Sequence, residues 1–341
     1  MYLRNCWYVA GWSRDVGQTL KPVTILGERI VLYRAADGHV CALEDACPHR
    51  KLPLSKGTLK DDRIVCGYHG LTFDGRGACV AAPTQGGRIP TNAQVRSYAA
   101  AERYGFVWLW MGDAVKADPA AIIDIPHYDD TSWGRTAGGD MTIACNYLYV
   151  VDNLLDPSHV AWVHLTSFAG ARTDDTPLNT KVVEDGVVVS RWMMDTAPPD
   201  YYARLIKFDG NADRLQHYEC RIPSIAINKS IYSPAGTGGA DKPLTERSYV
   251  NISYNFITPV DEASCHYYWF QHRNTDPLDE RISETMNAGA RMAFEEDKDV
   301  LEAVEIGMAS KTTPNLDLGI DAGALRFRKL LDQRIAAELA G

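Results

Sequence analysis

Two short motifs carry the clearest metal-binding chemistry in the sequence. They read CPHR at residues 47–50 and CGYH at residues 66–69. Each motif offers one thiolate and one imidazole, and ligands of these types select zinc or iron–sulfur centres over magnesium or calcium. Two loops of this kind can hold a metal centre between a pair of hairpin tips, so we expect one centre to join the two motifs.

The order of the ligands distinguishes two kinds of centre. A zinc finger usually groups a cysteine pair and then a histidine pair, whereas Cys47, His49, Cys66 and His69 alternate between the two types. Structural zinc is still an alternative for any set of two cysteines and two histidines. A Rieske [2Fe–2S] cluster needs two cysteines on one iron and two histidines on the other, and the observed order favours it.

Composition excludes several classes of function. The chain has 341 residues, of which 45% are hydrophobic and 23% are charged, the profile of a soluble globular protein. This length indicates two domains of ordinary size or one large domain. The net charge of −9 gives no electrostatic support for nucleic-acid binding. No apolar run approaches the roughly 20 residues of a membrane-spanning helix.

The cellular compartment is inferred from the N-terminus and the cysteines. The N-terminal segment MYLRNCWYVAGWSRD has no apolar core of the signal-peptide type. Of the eight cysteines, those outside the two motifs are scattered without the spacing of a disulfide framework. We therefore expect a cytoplasmic protein whose remaining cysteines are reduced and buried.

The first part of the chain has a β pattern. Short runs rich in β-branched and aromatic residues, such as 29–33 and 105–110, are separated by glycine and aspartate. Both metal-binding motifs lie among these runs. We predict a small all-β domain over residues 1–115.

The pattern changes in residues 116–341, which we assign to a second domain. Long strands that are typical of an antiparallel sheet are predicted over residues 181–183, 187–192, 220–229, 249–257 and 266–273. Helices are predicted over residues 146–155, 279–308 and 322–340. The predicted fold class is therefore α+β.

A second group of chemically active residues lies in this domain. Asn153, Asp156 and His159 are spaced three apart and would share one face of a continuous helix. A break after Pro157 could bring His159 and His164 to one point. Two histidines and one carboxylate form the facial triad of mononuclear non-haem iron(II) oxygenases. The carboxylate could come from the acidic run FEEDKD at residues 294–299.

Each of these features also has an ordinary explanation. Histidine pairs are commonly core or surface residues, and acidic runs are usually solvated helix faces. The metal interpretation gains weight from the first site, because a redox cluster needs an acceptor for its electrons.

Segments along nearly the whole chain resemble one family. They are MYLRNCWYVAGW, CPHRKLPLSKG, CGYHGLTFDG, AERYGFVWLWMGD, CNYLYVVDNLLDPSHVAWVH, FITPVDEASCHYYWF and FEEDKDVLEA. The sequence resembles the oxygenase component of Rieske non-haem iron monooxygenases, in the vanillate O-demethylase and dicamba monooxygenase branch. The resemblance implies an N-terminal all-β Rieske [2Fe–2S] domain, followed by a helix-grip-like catalytic domain with a central antiparallel sheet flanked by helices.

The resemblance also assigns the iron ligands. It implies that His159, His164 and Asp297 hold the mononuclear iron, with Glu296 as the alternative carboxylate. The other acidic residues of the run would then be ordinary helix residues. The cluster ligands that it implies are the two cysteines and two histidines of the first site.

A route for electrons follows from the same resemblance. Asp156 matches a bridging aspartate that accepts hydrogen bonds from His69 of the partner subunit and from His159 of its own chain. Such a route implies a head-to-tail homotrimer. Asn153 matches a residue close to the iron.

Substrate contacts are expected on the strands of the second domain. Asn228 and Asn255 match positions where dicamba-type enzymes contact the substrate carboxylate, although the resemblance leads us to expect a histidine where this sequence has Asn255. Trp269 and His272 are further candidate wall residues. Because side chains alternate along a strand, half of any such set will face away.

The activity that the resemblance implies is O₂-dependent oxidative O-demethylation of a methoxylated, vanillate-like aromatic acid, with release of formaldehyde. Electrons would come from NAD(P)H through a separate reductase, directly or through a ferredoxin, because this chain has no dinucleotide-binding fingerprint. N-dealkylation and methyl hydroxylation are alternatives that use the same centres. A Rieske-type electron carrier and a zinc-stabilised binding module are alternatives from other classes, and a carrier would need only the first domain.

Overall fold

The structure, a computed structural model, describes residues 1–164 and 176–341. The chain divides into two compact units. The first comprises Met1–Asp124 with two returning segments, Thr258–Asp261 and Glu338–Gly341. The second comprises Ile125–Ile257 and Glu262–Ala337.

The first unit extends beyond the predicted boundary at residue 115. The indole Nε1 of Trp7 donates a hydrogen bond to the Asp118 carbonyl at 2.9 Å. The Tyr104 hydroxyl donates to a carboxylate oxygen of Asp124 at 2.9 Å. These contacts attach the segment after residue 115 to the β unit.

Ten strands in three antiparallel sheets build the first unit, in the orders β1-β10-β9, β2-β3-β4 and β5-β6-β7-β8. Short 3₁₀ helices lie in the loops. The predicted all-β N-terminal domain is therefore confirmed. The strands are β1 Trp7–Trp12, β2 Lys21–Ile25, β3 Glu28–Arg34, β4 Val40–Glu44, β5 Thr58–Lys60, β6 Arg63–Val65, β7 Thr72–Phe73, β8 Cys79–Ala81, β9 Ala100–Arg103 and β10 Phe106–Trp110.

A single eight-stranded sheet forms the centre of the second unit, in the order β11-β18-β17-β16-β15-β14-β13, with β12 also paired to β18. The predicted central antiparallel sheet is confirmed. The strands are β11 Gly134–Arg135, β12 Gly139–Ile143, β13 Asn179–Val183, β14 Gly186–Thr196, β15 Ala212–Arg221, β16 Ile225–Pro234, β17 Tyr249–Asp261 and β18 Ser264–Arg273.

One strand prediction is wrong. Residues 220–229 do not form one strand, because the chain turns between Arg221 and Ile225 and these two residues pair with each other. Pro223 lies inside that turn, and proline cannot donate a hydrogen bond in the middle of a sheet. The predicted strand therefore leaves out most of β15, although β15 carries residues of the candidate site.

The predicted helices flank this sheet. The helices are α1 Tyr147–Leu155, α2 Val160–Val163, α3 Asp200–Ala203, α4 Glu280–Ser310 and α5 Ala322–Ala340. Helix α1 packs against β15 and β16, and α4 packs against β12 and β18. No helix among the described residues is both long enough and apolar enough to cross a membrane.

Helix α4 has one buried stripe. Its buried residues are Met286, Ala290, Ala293, Asp297 and Leu301. Spacings of three and four residues place side chains on one face of an α-helix. Asp297 is thus a carboxylate within an otherwise apolar stripe that faces the protein interior.

Candidate metal centres and substrate cavity

The loops of the first candidate site are closed by main-chain hydrogen bonds. The first follows β4, and the N–H of Cys47 donates to the Leu52 carbonyl at 2.9 Å. The second joins β6 to β7, and the N–H of Cys66 donates to the Leu71 carbonyl at 2.8 Å. Each cysteine therefore lies in a tight loop that main-chain hydrogen bonds close.

The side chains of this site have a buried end and an exposed end. Cys47 and Cys66 belong to the core of the β unit, whereas His49 is exposed. The Nδ1 atoms of His49 and His69 face each other at 3.1 Å. Burial raises the pKa of the Cys47 thiol, and neighbouring Cys66 also raises it, against main-chain N–H groups that lower it. Two sulfurs inside and two imidazoles outside fit a two-iron centre with unlike ligand pairs.

A glycine shapes the second loop. Gly70 has a φ of +73°, and a Cβ added to it would lie 2.8 Å from Cγ of Pro83. Glycine populates this left-handed region without the steric penalty of other residues. The chain can therefore reverse directly after His69.

The second candidate site joins a broken helix to α4. Helix α1 ends at Leu155, and α2 begins at Val160. The Nε2 atoms of His159 and His164 lie 3.6 and 3.2 Å from Oδ1 of Asp297. One potential ligand atom from each of these three residues lies within 4.8 Å of the others.

The opposite ring nitrogens of both histidines are held by acceptors. Nδ1 of His159 contacts the main-chain carbonyl of Asp156. Nδ1 of His164 lies 2.7 Å from Oε2 of Glu296. An acceptor at Nδ1 keeps the proton there and leaves the Nε2 lone pair for a metal.

The charge of the site also suits a cation. Although burial opposes it, the carboxylates of Asp297 and Glu296 raise the pKa of His164 above its ordinary value. Oδ1 of Asp297 is buried and has no hydrogen-bond partner among the described residues. A buried carboxylate oxygen without a hydrogen-bond donor is unfavourable unless a cation meets it. This donor set therefore fits a mononuclear iron.

The contacts of Asp156 differ from those expected. Its carboxylate accepts a hydrogen bond from the N–H of Ser158 at 2.7 Å, and its carbonyl, rather than its carboxylate, contacts His159. The carboxylate stabilises the turn between the helices, as aspartate does at such positions. In the structure the main-chain carbonyl of Asp156 makes the contact to His159 that was expected of the carboxylate.

Asn153 lies next to this site without entering it. Its carbonyl accepts a hydrogen bond from the N–H of Asp156 at 3.1 Å. Its amide Nδ2 is buried without a hydrogen-bond partner in the described part of the chain. Asn153 is not among the described residues that line the cavity.

Glu296 provides a direct test of how His164 is supported. Replacing Glu296 by Gln should weaken iron binding by about 10- to 100-fold, the usual effect of losing an outer carboxylate. The amide keeps the size of the side chain but removes the charge that favours the Nδ1 proton. Iron affinity is measured by competition with a chelator, and cluster absorbance reports folding. Glu295→Gln, at an exposed position, is the matched control; equal affinity in E296Q and wild type would remove Glu296 from this role.

A cavity opens beside the three candidate ligands. Its volume is about 90 Å³, several times the roughly 10–15 Å³ that one water requires. Helix α4 contributes Ala290, Ala293 and Phe294. The sheet contributes polar residues that alternate along its strands, among them Arg214, Tyr218, Asn228, Ser230, Asn251 and Gln271. One polar sheet face therefore lies opposite an apolar helix face.

Two of the predicted substrate residues line this cavity. Asn228 donates to the Leu154 carbonyl at 3.5 Å, and its Oδ1 is buried without a hydrogen-bond partner among the described residues. The amide of Asn255 is used within the sheet, where its Oδ1 accepts from the Tyr267 hydroxyl at 2.8 Å and from Ser253. Asn228 is therefore the better placed of the two for a ligand.

The other two predicted residues are not among the described residues that line the cavity. Trp269 packs against Phe294, with ring centroids 5.0 Å apart. His272 is adjacent to cavity-lining Gln271 and so faces the opposite side of the sheet, beside Tyr128 and Phe270. Burial lowers the pKa of His272 to about 4. The structure therefore places the side chain of His272 on the sheet face opposite to that of Gln271, a difference that the sequence does not reveal without the parity of the strand.

Comparison with known protein families matches both units. Residues 6–99 match the Rieske [2Fe-2S] domain. Residues 143–337 match the vanillate O-demethylase oxygenase C-terminal domain. The chain belongs to the vanillate O-demethylase oxygenase family. The resemblance seen in the sequence is thereby confirmed.

Relatives in this vanillate O-demethylase oxygenase family match the whole chain. The vanillate O-demethylase oxygenase subunit of Pseudomonas sp. (strain HR199 / DSM 7063) is 37% identical over 99% of this chain and 96% of its own. The toluene-4-sulfonate monooxygenase system iron-sulfur subunit of Comamonas testosteroni is 36% identical over 100% of this chain and 99% of its own. The crystal structure of dicamba monooxygenase bound to 3,6-dichlorosalicylic acid has a TM-score of 0.91 and 31% identity, and covers 100% of this chain and 99% of that one.

Membership in the vanillate O-demethylase oxygenase family defines the type of enzyme. The protein is the oxygenase component of a Rieske non-haem iron monooxygenase. It carries a Rieske [2Fe–2S] cluster and a mononuclear iron, uses O₂, and takes its electrons from other components of the system.

Sequence reasoning missed several residues of the site. Arg214, Asn251 and Gln271 line the cavity. Glu296 was predicted only as the alternative ligand, and its contact with His164 was not foreseen. The three sheet residues depend on strand parity, for which strands buried on both faces give no signal.

Proposed function

We propose that this oxygenase demethylates a methoxylated aromatic acid of the vanillate type. O₂, two electrons and two protons convert the aryl methyl ether to a phenol, formaldehyde and water. The proposal rests on one observation, the cavity where the converging His159, His164 and Asp297 meet a polar sheet face. The names of the relatives support it, since vanillate, toluene-4-sulfonate and 3,6-dichlorosalicylic acid are aromatic acids or their anions.

The proposed ligands of the mononuclear iron are His159, His164 and Asp297. When bound, this iron supplies the activation of O₂. The protein orients both imidazoles through their Nδ1 atoms, one on a main-chain carbonyl and the other on Glu296. All three proposed ligands are largely shielded from solvent, with side chains 12%, 5% and 6% exposed. Shielding from water protects a reactive site from side reactions.

The cavity would hold the aromatic ring beside these ligands. Ala290 and Ala293 present only methyl groups to it from α4. The ring can pack there, because small side chains leave the volume that a larger one would fill. On the other wall, Asn228 offers a polar contact from β16. The substrate would lie with its methoxy carbon toward Asp297.

The N-terminal domain, residues 1–115, would supply electrons to the catalytic domain, residues 116–341. We propose Cys47, His49, Cys66 and His69 as the cluster ligands. The exposed His49 edge of this site gives an electron donor access to it. The donor would be a separate NAD(P)H-dependent reductase, alone or through a ferredoxin, in the cytoplasm.

Electron transfer to the iron would cross between subunits. Asp156 is only partly buried, so its carboxylate can accept a hydrogen bond from His69 of the partner subunit. Such an arrangement requires a head-to-tail ring, and we propose a homotrimer.

The test is formaldehyde release across a panel of methoxybenzoates, N-alkyl anilides and methylarenes, with a surrogate reductase. We expect formaldehyde and the matching phenol in equal amounts from methoxybenzoates. Release only from N-alkyl compounds would contradict O-demethylation and leave the oxygenase class intact. His159→Ala, which should keep the cluster absorbance, is the control for formaldehyde formed without the iron.

A further inference from the structure

Arg214 is a buried cation in the cavity. It lies on β15, is 3% exposed, and lines the same cavity as the proposed iron ligands. No hydrogen bond or salt bridge joins its guanidinium to any described residue, and its Nε is buried without a partner. Its guanidinium carbon lies 5.5 Å from the centre of the Tyr232 ring. Burying an unpaired charge is unfavourable unless an opposite charge joins it.

The other buried arginines show what a structural role requires. Arg191 donates to Oε1 of Gln216 at 2.7 Å and to the Pro157 carbonyl at 3.2 Å. Arg273 donates to the Asp276 carbonyl at 2.7 Å, to the Asp279 carbonyl and to Oγ of Ser283. Arg214 differs from both, because its donors remain available to the cavity.

No carboxylate among the described residues forms a salt bridge with Arg214. Asp297 is the one acidic residue among the described residues that line the cavity, and it is a proposed iron ligand. The neighbour Asp213 accepts hydrogen bonds from the N–H groups of Asp195 and Gly238. Glu219, further along β15, is paired with His217 and Arg221. Among the described residues, therefore, none supplies the opposite charge, which the anionic group of a ligand can provide.

We propose that Arg214 binds the anionic group of the substrate and so selects aromatic acids over neutral aromatic ethers. This inference rests on the proposed function, which it extends by naming the residue that sets substrate class. A guanidinium matches the two oxygens of a carboxylate through parallel hydrogen bonds. Arg214 lies on the sheet wall of the cavity, and the proposed iron ligands lie on the helical wall. An acid bound through its carboxylate at Arg214 would therefore point the opposite end of its ring toward the proposed iron ligands.

The test compares a methoxybenzoate with the matching neutral methoxybenzamide. Dissociation constants are measured by anaerobic calorimetry on the holoenzyme, and kcat and KM by formaldehyde release. Wild type should bind the acid at least tenfold more tightly than the amide. Arg214→Gln should lose at least tenfold in affinity for the acid and less than threefold for the amide. Arg214→Lys should recover part of the loss, because it restores the charge without the planar fork.

Two further comparisons keep the test decisive. Arg247→Gln makes the same change in net charge at an exposed position and should bind both compounds as wild type does. Iron content and cluster absorbance report folding of each variant. Equal losses for acid and amide in R214Q would assign Arg214 to packing on Tyr232 and overturn the inference, as would unchanged affinity for the acid.

The outcomes also separate this inference from the proposed function. If R214Q selectively loses the acid but wild type releases no formaldehyde from any aryl ether, anion binding by Arg214 stands and O-demethylation fails. If wild type binds the acid and the amide with equal affinity and demethylates both, O-demethylation stands and the role of Arg214 is overturned.

Discussion

Asp297→Ala should lose the mononuclear iron and more than about 100-fold of the turnover rate while keeping the Rieske absorbance. Loss of an outer partner of a metal ligand typically costs 10- to 100-fold in affinity or activity, so loss of a ligand itself should exceed that range. The side chain is only 6% exposed and faces both imidazoles. Removing its charge leaves only the two imidazole nitrogens of His159 and His164, which bind a dication more weakly.

The measurements are iron per chain, visible absorbance and formaldehyde release. Asp299→Ala is the matched control, because Asp299 lies on the same helix but is exposed and off the buried stripe. It should behave as wild type. Full iron content and full turnover in D297A would remove Asp297 from the ligand set and favour Glu296, the alternative carboxylate.

Asp156→Asn should leave both metals bound but slow oxidation of the reduced cluster by substrate and O₂ by about 10- to 100-fold. Asparagine retains an oxygen for the N–H of Ser158, so the turn between α1 and α2 should persist. The carbonyl that orients His159 belongs to the main chain and is unaffected. Stopped-flow absorbance measures the rate, and an unchanged rate would contradict the bridge.

Mixed oligomers test whether the bridge crosses between subunits. Asp156→Asn chains keep the cluster, and Cys66→Ser chains keep the aspartate and the iron ligands. When the two impaired variants are co-expressed and co-purified, turnover should rise above the D156N rate if a cluster serves the iron of the partner subunit. Recovery to no more than the D156N rate would place the electron route within one chain and contradict the head-to-tail ring.

Residues that are close in sequence could be predicted directly. Each cluster motif gives two proposed ligands within one loop, so their spacing alone predicts that they lie together. His159 and His164 were predicted to converge through a break at Pro157, and the structure brings their rings together. Asp297 was chosen from the acidic run by resemblance, but the stripe Met286, Ala290, Ala293, Asp297 and Leu301 would have identified it from helical periodicity.

Strand residues were harder to assign. Strands β17 and β18 are buried on both faces over most of their length, so hydrophobic alternation gives no indication of which side faces the helices. His272 and Gln271 were therefore indistinguishable in the sequence, and only one of them reaches the cavity. Arg214 lay in a segment where no strand had been predicted, and an arginine in a polar segment is normally exposed.

The main-chain contact to His159 has a consequence for how this enzyme can change. A carbonyl group is common to every residue type, so the contact that orients His159, a proposed iron ligand, does not depend on the side chain at position 156. By contrast, the orientation of His164 depends on the side chain of Glu296. Natural or laboratory selection can therefore change the side chain at position 156 without removing the contact that orients His159. Changes at position 296, by contrast, remove the contact that orients His164 in the proposed iron site.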